Sequence, residues 1–327
     1  MRISVMILIL LCTALAPAST PSADQAAASG SSRTGPNELG KVPILEYHLI
    51  QPEETRWGRS AENFRQDLES LYRRGYRPVG MNEYVSGRML LPDGTRPFIL
   101  TFDDSSPGQF RYVFRGGRRE IDPDCAVGML AAFHRKHPDF ALKGIFFVLT
   151  GAEQPHKLFG QPEYEGDKLR ELVSLGFEIG NHTQWHANLS KYDAQVVRKQ
   201  LALPVKEVAE IVPGYVLKAL ALPFGMYPGD INLAVQGTYN GARYSNEAIL
   251  RVTGGPALSP FSRSRDLRRL PRVQVTGREL ERMNKFFELH PEQVYISDGK
   301  DDTVSFPRAL ASEANSTGFP SLRYMPY

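Results

Sequence analysis

Two aspartates and two histidines stand where they could act together on one metal ion. Asp103 and Asp104 directly follow the apolar run 98–102, and His182 and His186 follow a second short apolar segment. On one helical turn, imidazoles four residues apart point the same way. Two histidines and one carboxylate form a three-ligand zinc site with an open position for water, which is the catalytic arrangement. The remaining carboxylate would be free to act as a base.

The alternative interpretation of each pair is structural. The histidine pair alone also suits a surface turn. Adjacent carboxylates after a buried strand, however, repel each other and lose hydration unless a cation or a proton neutralises them. A solvated pair would more often follow a polar segment than the run 98–102. The position of Asp103 and Asp104 therefore favours the metal site.

Helical and strand-like segments alternate along the chain and must position these residues. Ser60 opens a helical pattern that Gly75 closes, Ser190 with Asp193 signals a later helix that Pro204 should bend or break, and Thr276 opens another. Short apolar runs between them predict buried strands of a parallel sheet, either doubly wound or closed as a barrel. Residues after the strand ends line the site in such folds. The segments 105–119 and 254–264 are predicted to be loops.

Composition excludes several classes of protein. The 327 residues include 39 basic and 36 acidic ones, which gives a formal charge of 39 − 36 = +3. This balance provides no footprint for nucleic acid. Two cysteines cannot form a zinc ribbon or a disulfide scaffold, and Cys125 is predicted to be a buried thiol.

The N-terminus has the pattern of an export signal. One basic residue, an apolar stretch and an Ala-Pro-Ala site predict a signal peptide over 1–18, followed by a flexible linker over 19–41 and one domain over 42–327. The alternatives are a retained membrane anchor and a lipoprotein modified at Cys12. We expect an exported protein of the periplasm, cell envelope or extracellular space, with no membrane span once the signal is removed.

Four segments resemble the polysaccharide deacetylases with the NodB-homology domain (carbohydrate esterase family 4). Thr-Phe-Asp-Asp at 101–104 and His-Thr-Gln-Trp-His at 182–186 resemble the first two motifs of that family, and 42–48 and 144–148 resemble its strands. The resemblance covers 42–224 well and the remainder weakly. It implies an α/β fold, a single distorted parallel (β/α) barrel. The implied activity is metal-dependent removal of N-acetyl, or sometimes O-acetyl, groups from sugar polymers.

The resemblance also assigns roles. It implies that Asp104, His182 and His186 bind Zn²⁺, or another divalent ion such as Co²⁺ or Ni²⁺, and that Asp103 is the general base. The backbone N–H of Phe224, in the third motif, would stabilise the oxyanion. Such an assignment is physically coherent, because a bound cation activates water while the free carboxylate accepts its proton.

The sequence departs from the family pattern in three places. Ala221 stands where an arginine normally orients the catalytic aspartate, and Arg269 and Arg272 are candidates to replace it. No fourth motif is recognisable. The histidine of the fifth motif, the general acid, is also missing: His290 is interpreted as a helix end, and His48, at the end of the first apolar run, is the better candidate.

The substrate is predicted only as a class. Together with export, the resemblance implies an extracytoplasmic acetylated amino-sugar polymer, namely peptidoglycan, poly-N-acetylglucosamine or a chitin-like chain. Trp185 and Tyr227 are candidates for stacking on its sugar rings. We interpret His134, His137 and His156 as surface residues. Two alternatives stay open: a glycan-binding domain that keeps the metal but turns over little, and a hydrolase of another amide, such as an imide or a formamide.

Overall fold

The computed structural model describes residues 35–327, and the predicted signal peptide and most of the predicted linker lie outside this range. Within it the chain forms sixteen strands: β1 Ile44–Tyr47, β2 Leu49–Ile50, β3 Gly58–Arg59, β4 Tyr76–Pro78, β5 Arg96–Phe102, β6 Tyr112–Arg115, β7 Arg118–Ile121, β8 Ile145–Val148, β9 Glu178–Asn181, β10 Ala219–Ala221, β11 Gln236–Tyr239, β12 Ala242–Ser245, β13 Ala248–Leu250, β14 Val273–Gln274, β15 Thr303–Phe306 and β16 Arg323–Pro326.

Seven α-helices alternate with these strands in the described part of the chain. Their bounds are α1 Ala61–Arg73, α2 Met81–Ser86, α3 Ala126–Lys136, α4 Glu165–Ser174, α5 Ala194–Ile211, α6 Asn232–Val235 and α7 Glu279–Leu289. None of the described helices is long and apolar enough to cross a bilayer.

The main sheet is parallel throughout and curled. Its strand order is β13-β10-β9-β8-β5-β1-β14, with β4 paired to β5. A single bridge between Leu250 and Leu270 brings β13 close to the segment that enters β14. The predicted α/β fold with a distorted parallel barrel is therefore confirmed as a curled sheet whose ends approach each other through this one bridge.

Strand β5 shows how the sheet directs polar groups toward its inner face. Phe98, Leu100 and Phe102 pack in one apolar cluster, whereas Ile99 packs in another on the opposite face. Because side chains alternate along a strand, Thr101 and the following Asp103 share the face of Ile99. The alternation thus delivers the first aspartate to the inside of the curled sheet.

The helix signals were partly correct. Ser60 caps α1 by accepting a hydrogen bond from the backbone N–H of Asn63, as predicted. The later helix, α5, begins after Asp193, whose side chain accepts from the N–H of Val196, so Ser190 is not its cap. Pro204 lies inside α5 without ending it, and α7 begins at Glu279 rather than Thr276.

Two segments predicted to lack structure are ordered. Asn37, Glu38 and Leu39 are buried, and Asn37 pairs with Ile296, so the fold begins before Val42 and residues 35–41 are not a flexible linker. The predicted loop 105–119 contains β6 and the start of β7, which form an antiparallel hairpin. The linker prediction was wrong for residues 35–41 because backbone hydrogen bonds, the Glu38 carboxylate and the single apolar residue Leu39 anchor this segment, and none of these forms a periodic pattern.

Candidate active site

Asp103 and Asp104 leave the end of β5 in different directions. Asp103 is buried on the inner face, and its backbone N–H donates to the carbonyl of Tyr47 on the neighbouring strand. Asp104 has a left-handed backbone with φ 72°, which turns its side chain away from the strand alternation and into a cavity. One carboxylate is therefore enclosed by protein, while its neighbour faces an open space.

Arg272 provides the positively charged side chain beside Asp103 that Ala221 cannot provide. Its Nη1 and Nη2 donate to Oδ1 and Oδ2 of Asp103 at 2.8 and 2.7 Å, in the bidentate geometry that binds carboxylates most strongly. Burial alone would raise the pKa of Asp103, but Arg272, together with His182, outweighs burial and holds this pKa below its usual value. Arg269, the other candidate, is exposed and lies 3.6 Å from Asp266.

Asp104, His182 and His186 converge as predicted. Oδ1 of Asp104 lies 3.1 Å from Nε2 of His182 and 3.3 Å from Nε2 of His186, and one ligand atom from each residue lies within 4.8 Å of the others. The segment that carries the two histidines is not the helical turn that their spacing suggested. It is an irregular turn in which Thr183 and His186 have positive φ.

Hydrogen bonds around this turn prepare the imidazoles for a cation. Nδ1 of His182 lies 2.8 Å from the carbonyl oxygen of Ala221 and donates to it, which directs Nε2 at Asp104. Burial and the neighbouring His182 lower the pKa of His186 to about 4. His186 is therefore neutral near pH 7, as a metal ligand must be.

Two adjoining cavities meet above this triad. The larger has a volume of about 540 Å³ and the smaller about 390 Å³, and both are lined by Asp104, His156 and His186. The remaining wall of the larger cavity consists of His48, Leu49, Arg56, Trp57, Phe224 and Val252. The remaining wall of the smaller one consists of Leu149, Ala152, Glu153 and Gln154.

His48 and Phe224 both line the larger cavity. His48 packs against the indole of Trp57, with 4.8 Å between ring centroids. Phe224 sits on the turn Pro223–Gly225 with φ 58°, and its ring packs edge-on against His186 at 4.6 Å. Within the described residues the N–H of Phe224 donates no hydrogen bond. The geometry is compatible with the roles predicted for both residues, which stay predictions.

The structure does not bring Trp185 or Tyr227 to the cavity wall. Trp185 is 39% exposed, and Lys199 of α5 lies over its ring. It lines neither of the two cavities. The hydroxyl of Tyr227 donates to the carbonyl of Arg268 at 2.8 Å, which anchors a loop. His290 is exposed beside Glu292, in agreement with its interpretation as a helix end.

Sequence reasoning missed two ring-bearing side chains of the cavity wall, Trp57 and His156. Trp57 lies on the irregular segment between β2 and β3, where no periodic pattern marks it. His156 was interpreted as a surface residue, but its Nδ1 lies 3.3 Å from the backbone carbonyl of Asp104. Only the fold brings their segments to the ends of β1 and β5. Cys125 is buried, as predicted.

The chain is similar to several solved deacetylase structures. PplD, a deacetylase from Streptococcus pyogenes, aligns with TM-score 0.55 at 18% identity, covering 75% of this chain and 97% of that one. A polysaccharide deacetylase from Bacillus cereus aligns with TM-score 0.54 at 19% identity, covering 75% and 68%. IcaB from Ammonifex degensii aligns with TM-score 0.52 at 17% identity, covering 76% and 97%. At these identities the likeness establishes the fold alone.

Sequence comparison finds one similar family. No curated protein matches the chain by sequence. Residues 92–240, which include both aspartates, both histidines and the turn of Phe224, match the family model described as polysaccharide deacetylase. Over this region the chain is therefore similar to the polysaccharide deacetylase family.

Proposed function

We propose that the protein is a metal-dependent hydrolase that removes N-acetyl, or O-acetyl, groups from an acetylated amino-sugar polymer outside the cytoplasm. The observation that carries this proposal is the convergence of Asp104, His182 and His186 beside the buried carboxylate of Asp103. The carboxylate lies 3.9 Å from Nε2 of His182, so it adjoins the triad without belonging to it.

The triad suits a divalent transition ion. It offers two imidazole nitrogens and one carboxylate oxygen and keeps a cavity on its open side, which favours Zn²⁺ in a catalytic site, with Co²⁺ or Ni²⁺ as substitutes. The low pKa of His186 and the hydrogen bond that orients the ring of His182 fit the same role. When bound, the cation supplies Lewis acidity, which activates water and polarises the acyl oxygen.

Asp103 is the proposed general base. Its bidentate pair with Arg272 keeps it ionised and fixes its orientation, so that it can accept the proton of the attacking water. The backbone N–H of Phe224, which has no other partner in the described chain, is oriented by its turn to donate to the developing oxyanion. His48 is the proposed acid that protonates the leaving nitrogen.

The shape of the site supports a polymer as substrate. The two cavities meet over Asp104, His156 and His186 and leave the triad in the middle of a continuous depression, rather than at the bottom of a closed hole. An aromatic ring, Trp57, stands in one wall and is 38% exposed. Aromatic faces of this kind stack on the apolar faces of sugar rings. Peptidoglycan, poly-N-acetylglucosamine and chitin-like oligomers are therefore the substrates to test first.

Acetate release tests the proposal. Wild-type protein loaded with Zn²⁺ should release acetate from at least one of these glycans, whereas Asp103→Asn should keep the metal and lose about 10²-fold or more of turnover. His182→Ala should lose both metal and turnover. Bound zinc and glycan affinity without acetate release would instead support the glycan-binding alternative. Absence of any bound divalent ion after reconstitution would overturn the assignment of the ligands.

A further inference from the structure

Glu46 is a buried carboxylate that the proposed mechanism does not use. It lies on β1, its exposed fraction is 0%, and its backbone pairs with Thr101 of β5 and Gln274 of β14. Its Oε1 stands 3.1 Å from Nη2 of Arg272 and 3.4 Å from Nε2 of His48. Strand alternation explains this position, because Glu46 and His48 share the face of β1 that looks toward Asp103.

Two buried carboxylates, Glu46 and Asp103, share the single positive charge of Arg272. Arg272 aligns its Nη1 and Nη2 donors with Asp103, and within the described residues neither oxygen of Glu46 accepts a hydrogen bond. A buried carboxylate whose oxygens accept no hydrogen bond is costly, even beside a cation that it shares with another carboxylate. Burial raises the pKa of Glu46 well above its usual value, with Asp103 and Asp104 acting in the same direction and Arg272 opposing them. The remaining group within reach is the imidazole of His48.

We propose that Glu46 is the positioning residue of the general acid: it holds Nε2 of His48 toward itself, so that Nδ1–H is directed into the cavity and toward the leaving nitrogen. The inference rests on the proposed function and deepens it. Glu46 touches no substrate atom, because the protein encloses it entirely. His48 lines the cavity, and the side chains of Ser106 and Gln109 donate to its backbone carbonyl and not to its ring.

The acid step moves one proton from the pair of Glu46 and His48 to the leaving nitrogen. Glu46 and His48 together hold one proton more than the pair of ionised carboxylate and neutral imidazole. As the carbon–nitrogen bond breaks, Nδ1–H of His48 passes its proton to the departing nitrogen. If the extra proton starts on the imidazole, Nε2 keeps its own proton. If it starts on Glu46, it moves from the carboxyl group to Nε2. In both cases an ionised carboxylate is left beside a neutral imidazole. Solvent returns the lost proton through the cavity, and Asp103 releases the proton that it took from water.

Arg272 connects this pair to the base. Nη2 contacts both Oδ2 of Asp103 at 2.7 Å and Oε1 of Glu46 at 3.1 Å. A single guanidinium therefore fixes the base on one side and the support of the acid on the other. One cluster of four side chains, three of them buried, therefore holds the base and the acid together at the ends of β1 and β5 and the entry to β14.

A change of leaving group tests the inference. Glu46→Gln keeps the size of the side chain but removes its charge and its proton. We expect it to lower kcat on an N-acetylated oligosaccharide by about 10- to 100-fold and to leave kcat on 4-nitrophenyl acetate within about threefold, because the nitrophenolate departs without a proton. His48→Ala should behave in the same way, and the double variant should lose no more than His48→Ala alone. Cobalt titration should show unchanged metal affinity in both variants.

Glu178→Gln is the matched control. Glu178 is a carboxyl at the opposite end of β9 from His182, and burial raises its pKa to about 7, so its neutralisation perturbs a similar group away from the reaction. It should leave kcat on both substrates within about twofold. Equal losses on the amide and on the aryl ester in Glu46→Gln, or no loss on either, would overturn the assignment.

A measurement on the wild-type holoenzyme keeps the inference testable even if Glu46→Gln does not fold. Nitrogen-15 NMR of labelled histidine should find a proton on Nδ1 of His48 at pH 7. A His48 protonated on Nε2 alone contradicts the proposal. Failure of the proposed function looks different: the wild-type protein would then release no acetate from any glycan, whatever the tautomer of His48.

Discussion

The guanidinium of Arg272 donates hydrogen bonds to both carboxylate oxygens of Asp103, at 2.8 and 2.7 Å, although the two residues are 169 positions apart in the chain. Arg272 immediately precedes β14, and β14 and β5 flank β1 on either side. Its Nε also donates to the carbonyl of Arg251 at 2.7 Å, so the side chain is held along its length. The base is thus oriented from across the curled sheet and not from the strand that carries Ala221.

Replacement of Arg272 should damage both stability and turnover. Arg272→Met leaves Asp103 and Glu46 buried without a cation, and loss of one partner from a buried ion pair costs about 3–5 kcal/mol. Arg272→Lys keeps the positive charge but cannot donate two parallel hydrogen bonds to Asp103. We therefore expect a smaller loss of stability and about a 10- to 100-fold lower kcat. Denaturant unfolding and acetate release measure the two effects.

The control for this prediction is Arg269→Met. Arg269 is exposed, and its contact with Asp266 is a surface ion pair, which contributes at most about 1 kcal/mol. An Arg272→Met variant that unfolds at the same denaturant concentration as Arg269→Met would show that the buried pair is not important to the fold.

Local sequence patterns predicted the site residues that follow strands β5 and β9, but not the residues that other segments bring to the site. The end of β5 and the pair His182 and His186 follow from an apolar run with polar residues behind it, which is a local signal. Arg272 was one of two candidates in a single short segment, because only the register of β14 against β1 decides which arginine faces inward. Trp57 and His156 sit on irregular segments whose position depends on the packing of the whole sheet, so no periodicity marks them.

The two tryptophans allow a direct test of substrate contact. The chain contains two tryptophans, Trp57 in the cavity wall and Trp185 outside it, and their exposed fractions are 38% and 39%. Trp57→Ala should raise KM for a glycan oligomer by about 5- to 20-fold, which corresponds to about 1–2 kcal/mol of lost stacking. Trp185→Ala should change KM by less than about twofold.

Fluorescence provides an independent readout of the same contact. In Trp185→Phe the only indole left is Trp57, so binding of an oligosaccharide to the Asp103→Asn protein should quench its emission. Quenching that disappears in Trp57→Phe but persists in Trp185→Phe places the sugar on Trp57. The reverse pattern would restore Trp185 as the contact and contradict the cavity geometry.

Phe224 should act through its main chain. Phe224→Ala retains the N–H, and Phe224→Gly also relieves the positive φ of 58°. We therefore expect both variants to keep kcat within about threefold of wild type. Met226→Ala, in an exposed side chain two residues away, controls for disturbance of the turn. A loss of more than about 30-fold in Phe224→Ala would mean that the ring, which packs on His186, is needed to hold that ligand.

Glu38 should make folding stability depend on pH. It is buried in the segment that precedes β1, where it accepts hydrogen bonds from the backbone N–H of Ser305 at 2.8 Å and from the hydroxyl of Tyr295 at 3.2 Å. Burial, helped by Asp298 and opposed by the bond from Ser305, raises its pKa from 4.5 to about 8. Between these two values the folded protein holds a proton that the unfolded chain has released. The contribution of Glu38 to stability therefore falls as pH rises from about 4.5 to 8, and it does not change further above that range.

Glu38→Gln should remove this dependence, because an amide does not titrate. Relative to wild type, we expect the variant to gain stability between pH 5 and pH 8, by an amount on the order of a few kcal/mol at the upper end. Free energies of unfolding from urea titrations at four pH values measure the difference, and Glu53→Gln, an exposed carboxylate, is the control. A constant difference between Glu38→Gln and wild type across the range would mean that Glu38 stays ionised in the fold. Its carboxylate would then depend on the donors Tyr295 and Ser305 for its stability.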